Sequence, residues 1–140
     1  MKILLAADGS PCSKRMLSYL AAHDELLGAD RRYTVITVVT PIPQYAAAYL
    51  PTDVIHAYYA EQAEQVLRPL RAFAEQQGWT LETQQVVGHP GDAIAEEAEK
   101  GRFDLVMMGS HGHGVITGMV MGSVATRVLA QCKTPVLLIR

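Results

Sequence analysis

Phe103-Asp-Leu-Val-Met-Met108 runs straight into Gly109-Ser-His-Gly112, and nine residues further on Gly122-Ser-Val-Ala-Thr-Arg-Val-Leu129 leads to Thr134-Pro-Val-Leu-Leu-Ile139. The first run reads as a buried strand. From Ser123 onward, Val124, Val128 and Leu129 recur at helical spacing, and the last run reads as another strand. A glycine-rich loop between a strand and a helix start has a specific physical use. Glycine lets the backbone approach a ligand closely, and the unpaired N–H groups of a first helical turn attract anions. The loop is expected to hold phosphate.

The same alternation fills the rest of the chain. Residues 2–7 form a short apolar run without alternation, as a strand buried on both faces requires. Asp8-Gly-Ser-Pro11 breaks it, with Ser10 suited to an N-cap and Pro11 to the first helical position. Met16, Leu17, Leu20 and Ala21 then share an apolar face, with Gly28 as the expected stop. Tyr33-Thr-Val-Ile-Thr-Val-Val39 is rich in β-branched residues and reads as the second strand. Pro41, Pro43 and Pro51 punctuate an irregular connection. A long helix follows, its face made of Tyr59, Ala63, Val66, Leu70 and Phe73, ending at Gly78 and kinked or broken at Pro69. Trp79 to Val87 alternates as a third strand. His89-Pro-Gly-Asp92 opens a short helix carrying Ala93, Ile94 and Ala98, and Gly101 closes it.

Strands separated by helices predict an α/β domain over residues 1–140: a parallel sheet, wound right-handedly, with helices on both faces. In such sheets ligands bind beyond the carboxyl ends of the strands, where the winding reverses. The first strand ends at Asp8 and the fourth at Gly109. If those strands are neighbours, Asp8 and the glycine loop face one crevice.

Composition limits the partners. The net charge is −2, with no cluster of lysine or arginine, so neither nucleic acid nor an anionic membrane is an expected partner. The apolar run before Asp8, residues 3–7, is only five residues long, too short for a signal-peptide core, and no stretch approaches a membrane span. The two cysteines, Cys12 and Cys132, make no disulfide framework or metal pattern, which fits a reducing cytoplasm.

At these landmarks the chain resembles the universal stress protein family along nearly its whole length. Asp8-Gly-Ser10 looks like the family's opening turn, and Val87-Gly-His-Pro90 with Ile94 like its third helix. Gly109-x-x-Gly112-x9-Gly122-Ser123 matches the spacing of the ATP-binding subgroup, and Pro135-Val-Leu-Leu-Ile139 resembles the closing strand. The resemblance implies a Rossmann-like five-stranded sheet in the order 3-2-1-4-5, commonly dimeric, that binds adenine nucleotide without a demanding reaction. Position by position, it implies Asp8 and Val39, or Val38 in its place, near the adenine. Met108 and Gly109 would flank the ribose, and Gly112, Gly122, Ser123 and Val124 would surround the phosphates. His111 goes with this nucleotide-binding set. ATP or AMP is the implied ligand, with Mg²⁺ held through the phosphates rather than by protein side chains.

The departures carry information too. Family members that bind ATP commonly have a lysine or arginine after the second glycine, where this chain has His113, then Gly114, Val115, Ile116, Thr117 and Gly118. A hydroxyl often follows Ser123-Val124, where this chain has Ala125. Charge-assisted bonds to phosphate are roughly twice as strong as neutral ones, so grip on outer phosphates should weaken. Arg127, one turn into the helix, or Mg²⁺ could compensate. The expectation is a reduced preference for ATP over ADP or AMP.

Ordinary roles stand beside these. Asp8 also suits a turn or a helix cap, and Ser123 an N-cap. His111 and His113 lack matched metal ligands nearby in sequence. Cys12, in a first helical turn, has no local motif for redox chemistry. Tyr45, Tyr49, Tyr58 and Tyr59 fit a lid, a dimer surface or plain packing. There is no P-loop and no G-x-G-x-x-G after the first strand, and no catalytic residue is assigned. The chain is expected to be a cytoplasmic, nucleotide-binding stress-response regulator with at most weak ATPase activity. It would form a homodimer through the apolar edge strand Pro135 to Ile139 and act on an unidentified protein partner. A nucleotide-independent dimeric interaction protein and a slow ATP-hydrolysing enzyme are the alternatives.

Overall fold

Strand β1 (Lys2–Ala6) sets the layering. Ile3, Leu4 and Leu5 have no solvent access at all. Successive strand side chains point to opposite faces, so Ile3 and Leu5 enter one core while Leu4 and Ala6 enter another. Fully burying a Leu or Ile side chain contributes about 1.5–3 kcal/mol, so this short run ties both layers to the sheet.

The computed structural model describes residues 1–23, 25, 30–113 and 121–140. After β1 come α1 (Pro11–Ala22), β2 (Arg32–Val39), α2 (Gln44–Ala47), α3 (Thr52–Gln76), β3 (Leu81–Val87), α4 (Pro90–Lys100), β4 (Leu105–Gly109), α5 (Ser123–Gln131) and β5 (Val136–Ile139). The five strands form one parallel sheet in the order β3-β2-β1-β4-β5. Met16 and Leu20 of α1 and Leu67 and Leu70 of α3 fill one core; Ile94 and Ala98 of α4 and Ala125 and Val128 of α5 fill the other. Ala6 pairs with Ile36 on one side and Met108 on the other, so β1 and β4 are neighbours and Asp8 and Ser110 leave the sheet side by side.

Local chemistry explains several boundaries. Gly9 takes φ +78°, a conformation that favours glycine, and reverses the chain after β1. Ser10 caps α1 by accepting from the Ser13 N–H, and Pro11 opens the helix. The helix ends at Ala22, well before Gly28, which lies outside the described residues. His23 is the C-cap: its backbone N–H and its ring Nδ1 both reach the Tyr19 carbonyl, and its ring stacks on Tyr19. Of the kink or break expected at Pro69, the break does not occur: α3 runs through it. Pro69 and Gln65, whose carbonyl loses its partner, both face solvent, so water can serve that carbonyl.

Candidate functional site

A cleft of about 260 Å³ opens at the carboxyl ends of β1 and β4. Ile36 and Val38 of β2, Ile94 of α4 and Met108 of β4 give it an apolar wall. Asp8, the segment Gly109–His113 and the start of α5, Gly122–Ala125, give it a polar rim. The split between Val38 and Val39 follows from strand alternation. Val38 packs with Ile36 on the cleft side, whereas Val39 packs on the opposite face with the α1 and α3 core and does not line the cleft.

The Asp8 end is tightly organised. Its Oδ1 accepts from the Ser10 N–H at 2.9 Å and from the Ser13 hydroxyl at 2.8 Å, while its own N–H donates to Ser13 Oγ at 3.1 Å. The other oxygen, Oδ2, faces Gly112 so closely that a Cβ there would lie 2.7 Å from it. Partial burial by itself would raise the Asp8 pKa. The hydrogen bonds from Ser10 and Ser13, with the charge of His113, outweigh it and hold the carboxyl below its ordinary value. Asp8 therefore presents an ionised acceptor at neutral pH, able to take a hydroxyl or an exocyclic amine.

The glycine end is built from backbone. The Gly122 N–H donates to the Ser110 carbonyl at 2.7 Å, drawing the start of α5 against the end of β4. A Cβ at Gly122 would lie 3.2 Å from that carbonyl oxygen. Gly122, rather than Ser123, is the N-cap, and Ser123 is the first helical residue. Glycine has no side chain to cap with, so among the described residues no side-chain cap is made at this helix start, whose residues Ser123, Val124 and Ala125 line the cleft. Such a terminus receives anions. His113 Nε2 donates to the Asp8 carbonyl at 2.6 Å and ties the two ends together, and His111 Nδ1 sits 3.0 Å from Ser110 Oγ. The expected departures from Gly114 to Gly118 lie outside the described residues.

Arg127 does not reach this cleft. Its guanidinium is held bidentately by Asp92, at 2.7 and 3.1 Å, in a neighbouring cavity of about 290 Å³. Asp8, Val38, Met108, Gly109, His111, Gly112, Gly122, Ser123 and Val124 are thus brought together, and Val39 and Arg127 are not. Sequence reasoning passed over Ser13, Ile36 and Ile94. Ser13 has no motif, but β2 alternation from Val38 would have found Ile36. Tyr45 and Tyr49 are 78% and 89% exposed and do not line the cleft, and Tyr59 accepts through its hydroxyl from the Ile42 N–H. Cys12 is buried against Gly109. Among the described residues no three His, Cys, Asp or Glu side chains are grouped to hold a metal, and no helix is long and apolar enough to cross a membrane.

The sequence profile of the universal stress protein family matches residues 1–140. The chain belongs to the universal stress protein family. It is 36% identical over 141 residues to a universal stress protein of Synechocystis, covering 99% of this chain but only 42% of that protein. It is 32% identical over 139 residues to one of Thermus aquaticus, covering 99% and 97% of the two chains. Among solved structures, the hypothetical protein MJ0577 superposes with a TM-score of 0.80 at 23% identity, over 99% of this chain and 94% of that one. A universal stress protein in complex with cAMP gives 0.71 at 24% identity over 100% and 97%. A family member from Arabidopsis thaliana with AMP bound gives 0.71 at 18% identity over 99% and 90%. At these identities the structural likeness concerns the fold.

Proposed function

We propose that the cleft binds an adenine nucleotide and that the protein is a nucleotide-responsive regulator of the stress response, without demanding catalysis. The observation that carries this reading is one cleft joining an apolar wall, an ionised Asp8 and a helix start whose N-cap is a glycine with no side chain to offer. The base lies against Ile36, Val38 and Ile94, with the ribose beside Met108 and Gly109. Asp8 accepts from a ribose hydroxyl or the exocyclic amine. The phosphate sits on the amides of Ser123 and Val124, beside Gly112 and Gly122. The structures of family folds with cAMP and with AMP bound support this choice of ligand.

No lysine or arginine occurs from Gly109 to Ser123, so outer phosphates meet no permanent cation in that loop. AMP and ADP then bind about as well as ATP in the absence of Mg²⁺. Small molecules released from denatured protein and identified by mass spectrometry, followed by calorimetric titration with AMP, ADP and ATP, test the reading. Adenine nucleotide in the released pool and similar affinities support it; no released nucleotide and no heat reject it.

The regulator works in the cytoplasm as a homodimer. The half-buried, apolar β5 forms one edge of the sheet, and pairing across a twofold axis covers Val136 to Ile139. Light scattering at micromolar concentration should give the mass of two chains; the mass of one rejects the dimer. Ligand binding orders the cleft rim and so changes the surface offered to a protein partner.

A further inference from the structure

The second cavity opens beside the first and shares Pro90, Ser123 and Val124 with it. A ligand chain that extends past the start of α5 on this side therefore enters a space lined by His89, Asp92 and Arg127. Arg127 is placed there by packing. Its stem crosses Gly91 so closely that a Cβ on Gly91 would lie 2.7 Å from Arg127 Cβ, and only glycine leaves that room. Its guanidinium then meets both oxygens of Asp92 through Nε and Nη2, a two-bond match. Asp92 also accepts from Gln131, one turn beyond Arg127 on α5.

We propose that Asp92 sets the nucleotide selectivity of the cleft by occupying Arg127, so that a monophosphate is accepted and a longer phosphate chain gains nothing from the arginine of the second cavity. The proposal rests on the reading of the first cleft as a nucleotide site. Its physical basis is charge cancellation. A phosphate entering the second cavity meets a neutral pair, and it must displace a carboxylate that already fills the guanidinium fork. A monophosphate on the Ser123 and Val124 amides does not extend that far and is indifferent to the pair. The pair is solvent-exposed, with the Arg127 side chain 59% accessible, so removing the carboxylate frees the guanidinium without leaving a buried charge.

Calorimetric titration of AMP and ATP at low ionic strength with EDTA tests this, using the intact protein, Asp92→Asn, Asp92→Ser and Asp92→Asn/Arg127→Gln. Serine removes both the charge and the amide oxygen that asparagine could still offer to Arg127. A freed arginine adds charge-assisted bonds, so ATP affinity should rise about tenfold in both single variants while AMP changes less than about twofold. The gain should vanish in the double variant. Equal changes for ATP and AMP would mean that Asp92 merely holds α4 against α5, and would overturn the proposal. AMP binding with an unchanged ATP-to-AMP ratio in both single variants overturns it too, while leaving the nucleotide reading intact. Absence of AMP binding to the intact protein overturns both.

Discussion

The two turns that leave the centre of the sheet, after β1 and after β4, solve the same problem in opposite ways. Each must start a helix beside the same cleft. After β1 the turn is short and self-sufficient: Ser10 caps α1, and Asp8 gathers the Ser10 amide and the Ser13 hydroxyl. The protein's own oxygens occupy that helix start. After β4 the chain takes thirteen residues, from Ser110 to Gly122, and ends on an N-cap with no side chain. The difference assigns the roles. An occupied terminus contributes a fixed anion to the cleft, and an open one leaves amides for an incoming anion.

Making the second turn copy the first should have the largest effect. Gly122→Asp places a carboxylate where the phosphate would sit and gives α5 the side-chain cap that it lacks. Loss of two charge-assisted contacts at about 1.5 kcal/mol each corresponds to about a hundredfold loss of AMP affinity. The cap itself changes helix stability by only a few tenths of a kcal/mol, because glycine is already an acceptable N-cap, and the new Cβ crowds the Ser110 carbonyl, so any larger loss on unfolding reads that contact. Titration calorimetry beside thermal unfolding measures both. AMP affinity within threefold of the original would show that the phosphate does not use this terminus.

The reverse change, opening the first turn, acts on stability instead. Ser10→Ala removes the α1 cap and the Ser10 hydroxyl from beside Asp8, while the Ser10 backbone N–H still reaches the carboxylate. Loss of a cap of this kind costs about 1 kcal/mol. Urea unfolding should show that loss, with AMP affinity little altered. A larger effect on affinity than on stability would mean that the first turn also binds ligand directly, and the contrast between the turns would fail.

How much of this was legible depended on whether a residue's neighbours lay close in sequence. β1 was readable because Ile3, Leu4 and Leu5 are apolar on both faces, which only a covered central strand needs. Ser10 and Pro11 mark a helix start by local geometry alone, and the glycine spacing marked the other turn. Val38 and Val39 could not be separated in the same way. A strand apolar on both sides carries no alternation to tell which valine meets the cleft, and that follows only from its packing against Ile36. Ser123 is the better capping residue in isolation, yet Gly122 takes the position because its N–H must reach Ser110. Arg127 read as a free cation because Asp92 lies 35 residues away and joins it only when α4 packs on α5.

The smallest expected effect concerns the charge of Asp8, and it sharpens the comparison most directly. Its carboxyl titrates below the ordinary Asp value of about 3.9, because the hydrogen bonds of the first turn outweigh the cost of partial burial. A carboxyl with a lowered folded pKa binds its proton less readily when folded than when unfolded. Its contribution to stability is therefore full above about pH 3.9 and is lost as pH falls through the lower folded value. Asp8 is solvent-exposed at one edge, so that contribution is about 1 kcal/mol or less. Asp8→Asn keeps an oxygen acceptor for Ser10 and Ser13 but removes the charge. The variant should be slightly less stable than the original protein at pH 7, and the gap should close as both are acidified through the titration of Asp8. Urea unfolding at pH 7, 5, 4 and 3 follows the gap. A constant difference across that range would mean that the turn stabilises Asp8 by shape alone, and the ionised acceptor facing the cleft would lose its physical basis.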